Sequence, residues 1–323
     1  MESPVSLTPS QRRVVDELMM GGGGRAARPR FPDDLARRLR AELQDATADA
    51  AERLALLGEE VHVNKAELAR VHQCERFHQA ESAAGFPGWS KDLARGTVAH
   101  KAIELGVFMA GEPAPLELVD AAIDRIIEEG DDRTPRTWLL EAPATELAEL
   151  RAAANDLVCK FEASFPPLKK DWRPRLESPV RVELHAGQIV LRSKVDLALG
   201  KPDGTQAGVL VVDFKSGRAY PHHIDDLRYY ALLETFRSGV PPFRVASYYL
   251  DAGNWHHEDV TEELLAITMR RVIDGVLKLA ALRTHEREPT FTPGPACGYC
   301  RLRDTCEGAT VWAAQREEIG ELS

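Results

Sequence analysis

Two kinds of hydrophobic pattern follow one another along the chain, and they predict helices first and strands afterwards. Apolar residues recur at helical spacing in a series of segments, namely 8–20, 33–58, 64–79, 95–111, 116–129 and 145–164. Val, Ile and Leu then alternate with polar residues or form short runs, which predicts strands at 177–184, 188–199 and 207–217. This order indicates an N-terminal helical part followed by a sheet.

The rest of the pattern adds helices and one more strand. A helix at 223–238 follows the third strand, and after it come a strand near 243–250 and a long amphipathic helix at 261–283. The glycines at 21–24 favour a flexible linker over a phosphate-binding loop, because no apolar strand precedes them and no Gly-Lys-Ser/Thr ending follows. The sequence therefore predicts an α/β fold with a mixed central sheet flanked by helices.

Composition agrees with a globular protein and excludes several function classes. The chain has 323 residues, 44% hydrophobic and 28% charged, which suits one large domain or two small ones. It lacks both the ~18-residue apolar run of a membrane helix and the start of a secretory signal, so we expect a cytoplasmic protein without membrane contact. The net charge of −10 argues against a uniformly basic protein that coats nucleic acid, although a basic cleft is compatible with it.

Candidate chemistry lies where two of the predicted strands end. Asp213 and Lys215 follow the apolar run VLVV two residues apart, so their side chains project to the same face. Asp196 lies on the preceding strand, and a hairpin-like connection can bring it beside Asp213. Buried carboxylates need a cation, and Mg²⁺ or Mn²⁺ suits a few carboxylates with water and phosphate completing the shell. The set predicts phosphodiester hydrolysis, whereas the Asp-x-Lys pair alone would favour a surface ion pair.

The cysteines predict a second metal centre. Cys297, Cys300 and Cys306 lie within ten residues, and an odd total of five cysteines does not suit a disulfide framework. A fourth ligand is needed, and Cys74 is a better candidate than Cys159, which we expect to be buried in an apolar helix. The spacing alone leaves zinc and an iron–sulfur cluster both open.

Five short motifs, in order, resemble the nuclease core of the PD-(D/E)xK family, in particular that of RecB-type exonucleases. They are RGTVAHKAIELG, VDLAL, VLVVDFKSGRAY, DDLRYYALL and CGYCRLRDTC, the last together with the isolated Cys74. The cysteine motif resembles the iron–sulfur subgroup, which includes CRISPR-associated RecB-like nucleases and AddB-type nuclease subunits. The resemblance covers residues 64 to 310 and implies a restriction-endonuclease-like fold with a cysteine-rich C-terminal clasp.

The resemblance also implies roles for individual residues. The metal ligands would be His100, Asp196, Asp213 and the main-chain carbonyl of Phe214, with Lys215 as the catalytic lysine and Glu177 as a supporting residue or occasional ligand. Tyr230 would contact DNA or support the site, and a [4Fe–4S] cluster would be bound by Cys74, Cys297, Cys300 and Cys306. In this interpretation the catalytic metal is Mg²⁺ or Mn²⁺, and the cluster is structural.

Two positions depart from the pattern of the family. Asp226 stands where the family has a glutamine, and a carboxylate there would repel the phosphates of DNA. We expect it to pair instead with Arg228 or with a bound cation. Ser193 stands where the family usually has a glycine. The first departure changes the charge that this part of the site presents to a nucleic acid.

The sequence and the resemblance together predict three parts and one principal function. We expect a helical N-terminal arm over 1–62, a nuclease core with an iron–sulfur clasp over 63–310 and a C-terminal tail over 311–323. The implied function is a Mg²⁺- or Mn²⁺-dependent deoxyribonuclease, exonucleolytic or end-processing and preferring single strands, in DNA repair, CRISPR adaptation or phage defence. A helicase or a CRISPR or defence component is the implied protein partner. A non-catalytic iron–sulfur scaffold subunit and a zinc-stabilised enzyme of unrelated chemistry remain as alternatives.

Overall fold

The computed structural model describes residues 6–20, 24–109, 111 and 113–321, so residues 21–23 of the predicted glycine linker lie outside the described residues. The α-helices are α1 (Pro9–Arg13), α2 (Leu35–Leu57), α3 (Lys65–Gln73), α4 (Glu75–Ala84), α5 (Lys91–Phe108), α6 (Pro115–Glu129), α7 (Arg136–Glu141), α8 (Ala144–Ser164), α9 (His223–Ser238), α10 (Glu262–Arg283) and α11 (Glu307–Glu321). The strands are β1 (Val61–Val63), β2 (Arg175–Leu184), β3 (Ile189–Gly200), β4 (Val209–Lys215), β5 (Arg244–Tyr249) and β6 (Asn254–Asp259). A π-helical segment, Val14–Met20, continues α1, and short 3₁₀ turns lie at Arg25–Ala27, Lys170–Trp172, His185–Gly187 and Pro295–Gly298.

One mixed sheet forms the centre of the molecule. Its long strand β3 pairs antiparallel with β2 along one edge. Along the other edge, the start of β3 pairs parallel with β1 and its end pairs antiparallel with β4. β4 then pairs parallel with β5, which pairs antiparallel with β6. A parallel pair requires a crossover connection, and α9 provides it between β4 and β5.

Apolar side chains form separate cores around the sheet and among the helices. The larger core joins the sheet to α2, α9 and α10, and Leu43, Leu191 and Val276 are fully buried in it. β4 and β5 are buried along nearly their whole length, as expected for strands that are covered on both faces. A second core joins α5, α6, α7 and α8. These four helices therefore form a layer of their own, and α5 and α6 border the cleft described below.

The predicted α/β class, with a mixed sheet flanked by helices, is confirmed. The structure also contains a capping box at the start of α1. Gln11 N–H donates to Thr8 Oγ1 at 3.2 Å, and Thr8 N–H donates to Gln11 Oε1 at 2.9 Å. Among the described helices, none combines the length and apolarity that a membrane-spanning segment needs. The division of the chain at residues 62 and 310 stays a prediction.

Several elements differ from the prediction. β1, β6, α7 and α11 were not predicted. The single helix predicted over 64–79 is two helices, because the chain is extended at Cys74, with φ −171° and ψ 129°. The break turns α4 away from α3 and leaves Cys74 at the corner between them.

Candidate metal and catalytic site

Two carboxylates meet where β3 and β4 stop pairing. The last pair of this ladder joins Leu197 to Val212, and Asp196 and Asp213 are the next positions on the two strands. Asp196 turns toward the partner strand, where its Oδ2 accepts a hydrogen bond of 2.7 Å from the main-chain N–H of Phe214. The predicted approach of Asp196 to Asp213 therefore follows from the antiparallel register.

A third carboxylate comes from the opposite edge of β3. The β2–β3 register, in which Ser178 pairs with Val195, places Glu177 opposite Asp196. Glu177 has a φ of +47°, a left-handed conformation that non-glycine residues seldom adopt and that costs backbone strain. Its carboxylate forms an ion pair with Lys194. Three neighbouring strands thus deliver three acidic residues to one place.

Helix α5 adds an imidazole to these carboxylates. His100 Nδ1 lies 3.7 Å from Glu177 Oε1 and 3.7 Å from Asp196 Oδ1. One turn earlier on α5, a Cβ at Gly96 would lie only 2.9 Å from Ser216 Oγ in the loop that follows β4. A side chain at position 96 would displace the Ser216 hydroxyl, so glycine favours the close packing of α5 against this loop beside His100. This gives a physical reason for the glycine and histidine spaced four residues apart.

His100, Glu177 and Asp196 form the group best placed to hold a cation. In the part of the chain that the structure describes, one donor atom of each lies within 4.8 Å of the other two. Burial opposes a charge on His100, but the Asp196 and Glu177 carboxylates outweigh it and raise the pKa of the imidazole. Burial, with repulsion from Asp213 and Glu177, raises the pKa of Asp196 to about 6, although His100 opposes the shift. Among the carboxylates of the site, Asp196 is thus the one whose charged form its surroundings stabilise least, since the pKa values of Glu177 and Asp213 are lowered.

Asp213 lies next to this group but is held by lysines. Its Oδ1 accepts hydrogen bonds from Lys65 Nζ at 3.1 Å and from Tyr230 Oη at 3.0 Å, and its Oδ2 lies 2.6 Å from Lys215 Nζ. Burial alone would raise the pKa of Asp213, but the two ammonium groups outweigh it and lower the pKa to about 2. Tyr230 is 1% exposed, so its geometry favours support of Asp213 over contact with a polymer.

Asp226 has different partners from those predicted. Its Oδ2 lies 3.1 Å from Lys215 Nζ and 4.0 Å from Lys65 Nζ. The predicted pairing with Arg228 is wrong, because Arg228 makes a bidentate ion pair with Glu258 on β6 at 2.9 and 2.7 Å. Residue 228 is two positions further along α9 than residue 226, so the two side chains leave the helix on different faces.

Lys65 was missed by the sequence analysis although it contacts three residues of the site. It is the first residue of α3, directly after the cap Asn64, whose side chain accepts from the N–H groups of Ala66 and Glu67. The cap was predicted and it fixes where α3 begins. No local pattern, however, indicates that this helix start lies against the distant strand β4, because only the tertiary packing brings the two together.

A cleft of 720 Å³ opens onto the site between α5, α6 and the loop that follows β4. The cationic side chains that line it are Lys101, Arg125, Lys194, Lys215 and Arg218. The first four pair with carboxylates, those of Glu104, Glu129, Glu177 and Asp213. Arg218 has no ion pair or hydrogen-bond partner among the described residues. Close by, Tyr220 is 54% exposed, and its ring stacks on His222 with centroids 5.5 Å apart.

The second predicted centre is a small pocket lined by sulfur. Cys74, Cys297, Cys300 and Cys306 line one pocket together with apolar side chains that include Phe77 and Phe291. The N–H of Thr292 donates to Cys74 Sγ at 3.5 Å, and the N–H of Leu302 donates to Cys300 Sγ at 3.4 Å. The four predicted cysteines are thus brought together from two ends of the chain.

Beside the pocket, an ion pair between a buried carboxylate and an exposed arginine joins the same two segments. Glu75 is 3% exposed and accepts from both terminal nitrogens of Arg287 at 2.6 Å. It also accepts from the N–H and hydroxyl of Thr290 at 2.9 and 2.8 Å. These charge-assisted bonds connect α4 to the C-terminal segment without any metal.

The prediction for Cys159 is wrong, because its side chain is exposed. On α8 the core-facing positions are Ala154, Leu157 and Val158, which follow the spacing of three and four residues. Cys159 lies one residue beyond this stripe, about 100° further around the helix, and faces solvent. It is also absent from the residues around the sulfur-lined pocket.

Comparisons with known proteins identify one family. A family model described as the PD-(D/E)XK nuclease superfamily matches residues 62–307. Among solved structures, that of the protein SSO0001 is 15% identical, with a TM-score of 0.34 over 85% of this chain and 97% of that chain. One from Eubacterium rectale, named "Putative exonuclease", is 13% identical, with a TM-score of 0.46 over 76% of this chain and 93% of that chain. No curated protein sequence matches significantly.

Proposed function

The chain belongs to the PD-(D/E)XK nuclease superfamily of hydrolytic nucleases, and on this premise we propose that it is a deoxyribonuclease dependent on Mg²⁺ or Mn²⁺. The observation that carries the proposal is the close group of His100, Glu177 and Asp196, which lies next to the pair formed by Asp213 and Lys215. A histidine nitrogen among carboxylate oxygens suits Mn²⁺, and Mg²⁺ accepts the same carboxylates with water. The proposed ligands are His100, Asp196, Asp213 and the carbonyl of Phe214.

Glu177 enters the proposal as a supporting residue or additional ligand. Burial would raise its pKa, but His100 and Lys194 outweigh burial and lower it, so the carboxylate is ionised at neutral pH. In that state it can accept a hydrogen bond from His100 and so orient the imidazole toward a cation. Its strained backbone is consistent with a functional position.

In this proposal Lys215 acts as a cation and not as a base. Burial opposes its charge, but the Asp213 and Asp226 carboxylates outweigh burial and raise its pKa, so it stays protonated at neutral pH. An ammonium at this position can orient the attacking water and stabilise negative charge on the phosphoryl group. The bound metal would supply Lewis-acid activation of water and phosphate. The water oxygen would form the new bond to phosphorus and lose a proton to solvent, while the bond to the ribose oxygen breaks and that oxygen takes up a proton from solvent.

We propose a single strand or a strand end as the substrate. Arg218, without a carboxylate partner among the described residues, is free to bind a phosphate. Tyr220, two residues away, presents an exposed ring on which an unstacked base could lie. A base inside a duplex is already stacked on its neighbours, so this pair of residues favours unpaired nucleotides.

The charge of the molecule supports a protein partner. The net charge is −10, and most cations of the cleft are paired with carboxylates, so little free positive charge is available to hold DNA. We therefore propose that a partner such as a helicase or a CRISPR or defence component presents the strand. The setting would be DNA repair, CRISPR adaptation or phage defence.

For the cysteines we propose a structural [4Fe–4S] cluster. The four cysteine side chains line one pocket, which supports a shared metal centre, and the resemblance of their motif to the iron–sulfur subgroup favours iron over zinc. The N–H groups aimed at Cys74 and Cys300 are of the kind that stabilise cluster thiolates. Cysteines that bind a metal as thiolates must stay reduced, and we therefore propose a cytoplasmic location.

The direct test is cleavage of end-labelled oligonucleotides by the purified protein. Single- and double-stranded DNA are incubated with Mg²⁺, with Mn²⁺ or with EDTA, and products are resolved by length. The proposal predicts cleavage only with metal and faster cleavage of the single strand. A protein that holds metal but cleaves neither substrate would instead support the non-catalytic scaffold subunit.

A further inference from the structure

The family motifs assign no role to Lys65, although its ammonium contacts Asp213 and Tyr230. Lys65 Nζ donates to Asp213 Oδ1 at 3.1 Å and to Tyr230 Oη at 2.7 Å, and lies 4.0 Å from Asp226 Oδ2. The side chain also lies over the ring of Tyr230, 4.8 Å from its centroid. These contacts join α3 to β4 and α9.

The approach of Lys65 is from the side away from the cleft. Lys65 and Asp226 line a small cavity of about 30 Å³ between α3, α9 and α10, and Lys65 is not among the residues that line the cleft. A strand in the cleft therefore would not meet this ammonium directly. Its chemistry must act through the residues that it holds.

Charge explains why a second lysine is required here. Asp213 and Asp226 are both buried, and Lys65 and Lys215 are the ammonium groups within 4.0 Å of them. Two carboxylates and two ammonium groups are neutral together. With a neutral amide at position 226, one lysine would balance Asp213, and the second would be superfluous. Because a buried unpaired charge is strongly unfavourable, the carboxylate at position 226 requires a second cation. Lys65 provides that cation.

We propose that Lys65 is a positioning residue for the metal ligand Asp213 and the charge partner of Asp226. Lys65 and Tyr230 hold Asp213 Oδ1 and Lys215 holds Oδ2, so the carboxylate is fixed in one orientation at the place where it would bind a cation. This inference rests on the proposed nuclease function for the role of Asp213. The pairing of Lys65 with Asp226 stands on the contacts alone.

A double-mutant cycle tests the pairing. The variants are Lys65→Met, which keeps the aliphatic stem, Asp226→Asn and the double variant, with Lys65→Arg as the charge-conserving change. Lys160→Met serves as the matched control, because Lys160 also pairs with two carboxylates, those of Asp156 and Asp251, and neither is a proposed residue of the site. Mn²⁺ affinity is measured by titration calorimetry without DNA, and the single-strand cleavage rate is measured separately.

We expect Lys65→Met to weaken Mn²⁺ binding and to lower kcat with little change in KM. The double variant should bind Mn²⁺ about tenfold more tightly than Lys65→Met, within the range of coupling between neighbouring charges. Lys65→Arg should restore most of the affinity, and Lys160→Met should behave as the wild type. A lysine that only holds α3 in place would give additive effects and no recovery, and that result would overturn the proposal.

The remaining outcomes are also decisive. If Lys65→Met does not fold, the double variant must fold and bind Mn²⁺, because removal of Asp226 removes the unpaired charge; failure of both to fold overturns the proposal. If the wild type binds Mn²⁺ but does not cleave DNA, the nuclease function fails. The cycle in Mn²⁺ affinity then still reports whether Lys65 and Asp226 are coupled.

Discussion

The carboxylate site and the cysteine site are assembled in opposite ways. Glu177, Asp196 and Asp213 come from neighbouring strands, and the hydrogen-bond register places them side by side. The cysteine site instead joins the corner between α3 and α4 to a segment near the C-terminus, and Thr292 follows Cys74 by 218 residues. The first site is a product of the sheet, whereas the second is a connection between two ends of the nuclease core.

The difference extends to how each site manages charge. The carboxylate site contains its own cations, Lys65 and Lys215, so part of its geometry is held without metal. In the cysteine site, burial and the neighbouring cysteines raise the pKa of Cys300, so the proposed metal would have to displace the proton of a neutral thiol. Loss of metal should therefore cost activity at the first site and stability at the second.

The largest expected effect is on activity, from a change at the carboxylate site. Asp196→Asn removes a proposed ligand and should lower Mn²⁺-dependent cleavage by about 10³-fold, since the metal supplies several kcal/mol of transition-state stabilisation. The amide oxygen can still accept from Phe214 N–H, so the fold should persist. Cleavage of a labelled single strand measures the loss, and an active variant would remove Asp196 from the ligand set.

The same variant should be more stable than the wild type when no metal is present. Because burial raises the pKa of Asp196 from 3.8 to about 6, the folded state binds more protons than the unfolded chain between these values. Wild-type stability therefore falls as pH rises through this window, and the asparagine avoids the loss. Denaturation at pH 8 in EDTA should show a gain of roughly 1–3 kcal/mol that disappears below pH 4. If the variant and the wild type are equally stable at both pH values, the pKa of Asp196 is not raised by burial as stated.

The next effect concerns the cysteine site. Cys74→Ala should yield colourless protein without absorbance near 400 nm, and its unfolding free energy should fall by up to about 4–5 kcal/mol, the chain-entropy value for a link across so long a span. Cys159→Ala is the matched control and should leave colour and stability unchanged, because Cys159 is exposed and lies away from the pocket. A requirement for Cys159, or bound zinc in place of iron, would overturn the assignment.

A smaller effect is expected from the ion pair between Glu75 and Arg287, which joins the same two segments as the cysteines but contains no cysteine. Glu75→Gln should weaken the ion pair with Arg287 and lower stability by about 1–2 kcal/mol, a buried-pair value discounted because the arginine is partly exposed. The colour should remain, since no cysteine is changed. Denaturant titration with absorbance recorded in parallel checks both statements, and loss of colour with stability would show that Glu75 is needed for cluster binding.

The smallest effect is confined to substrate binding in the cleft. Tyr220→Ala and Arg218→Ala should each raise KM for a single strand about tenfold, as expected for one stacked base or one phosphate contact. Hydrolysis of bis(p-nitrophenyl) phosphate, which has no base, should be unchanged in Tyr220→Ala, and Tyr220→Phe should bind normally. Arg13→Ala, at an exposed site on α1, is the control for charge. A loss that is equal for both substrates would point to damage of the site itself.

The proximity of Asp196, Asp213 and Lys215 was predictable from the sequence because the signals for it are local. The spacing of Asp213 and Lys215 and the alternation along β3 both follow from strand geometry, and a short connection between the strands sets the register. β6 was missed because its residues, NWHHED, are polar and mostly exposed, and β1 was missed because it has only three residues. Neither strand carries enough apolar residues to show a period.

Features that depend on packing between distant elements were not predictable in the same way. Lys65 starts an ordinary capped helix, and only the arrangement of α3 against β4 gives it partners. The helical pattern continues through Cys74, so the break there is visible only when the C-terminal segment packs against it. The residues around Cys159 were correctly predicted to be helical. Cys159 lies one position beyond the buried positions of this helix, however, so its side chain is exposed.

We propose that the carboxylate site is a metal-dependent nuclease centre. The variant Lys215→Ala tests this proposal most directly. This variant keeps Lys65 beside Asp213, so it should fold, which circular dichroism can verify. The rate of Mn²⁺-dependent cleavage of an end-labelled single strand is compared with that of the wild type and of Lys160→Ala. We expect a loss of about 10²–10³-fold for Lys215→Ala and none for the control. Equal rates for all three proteins would contradict it.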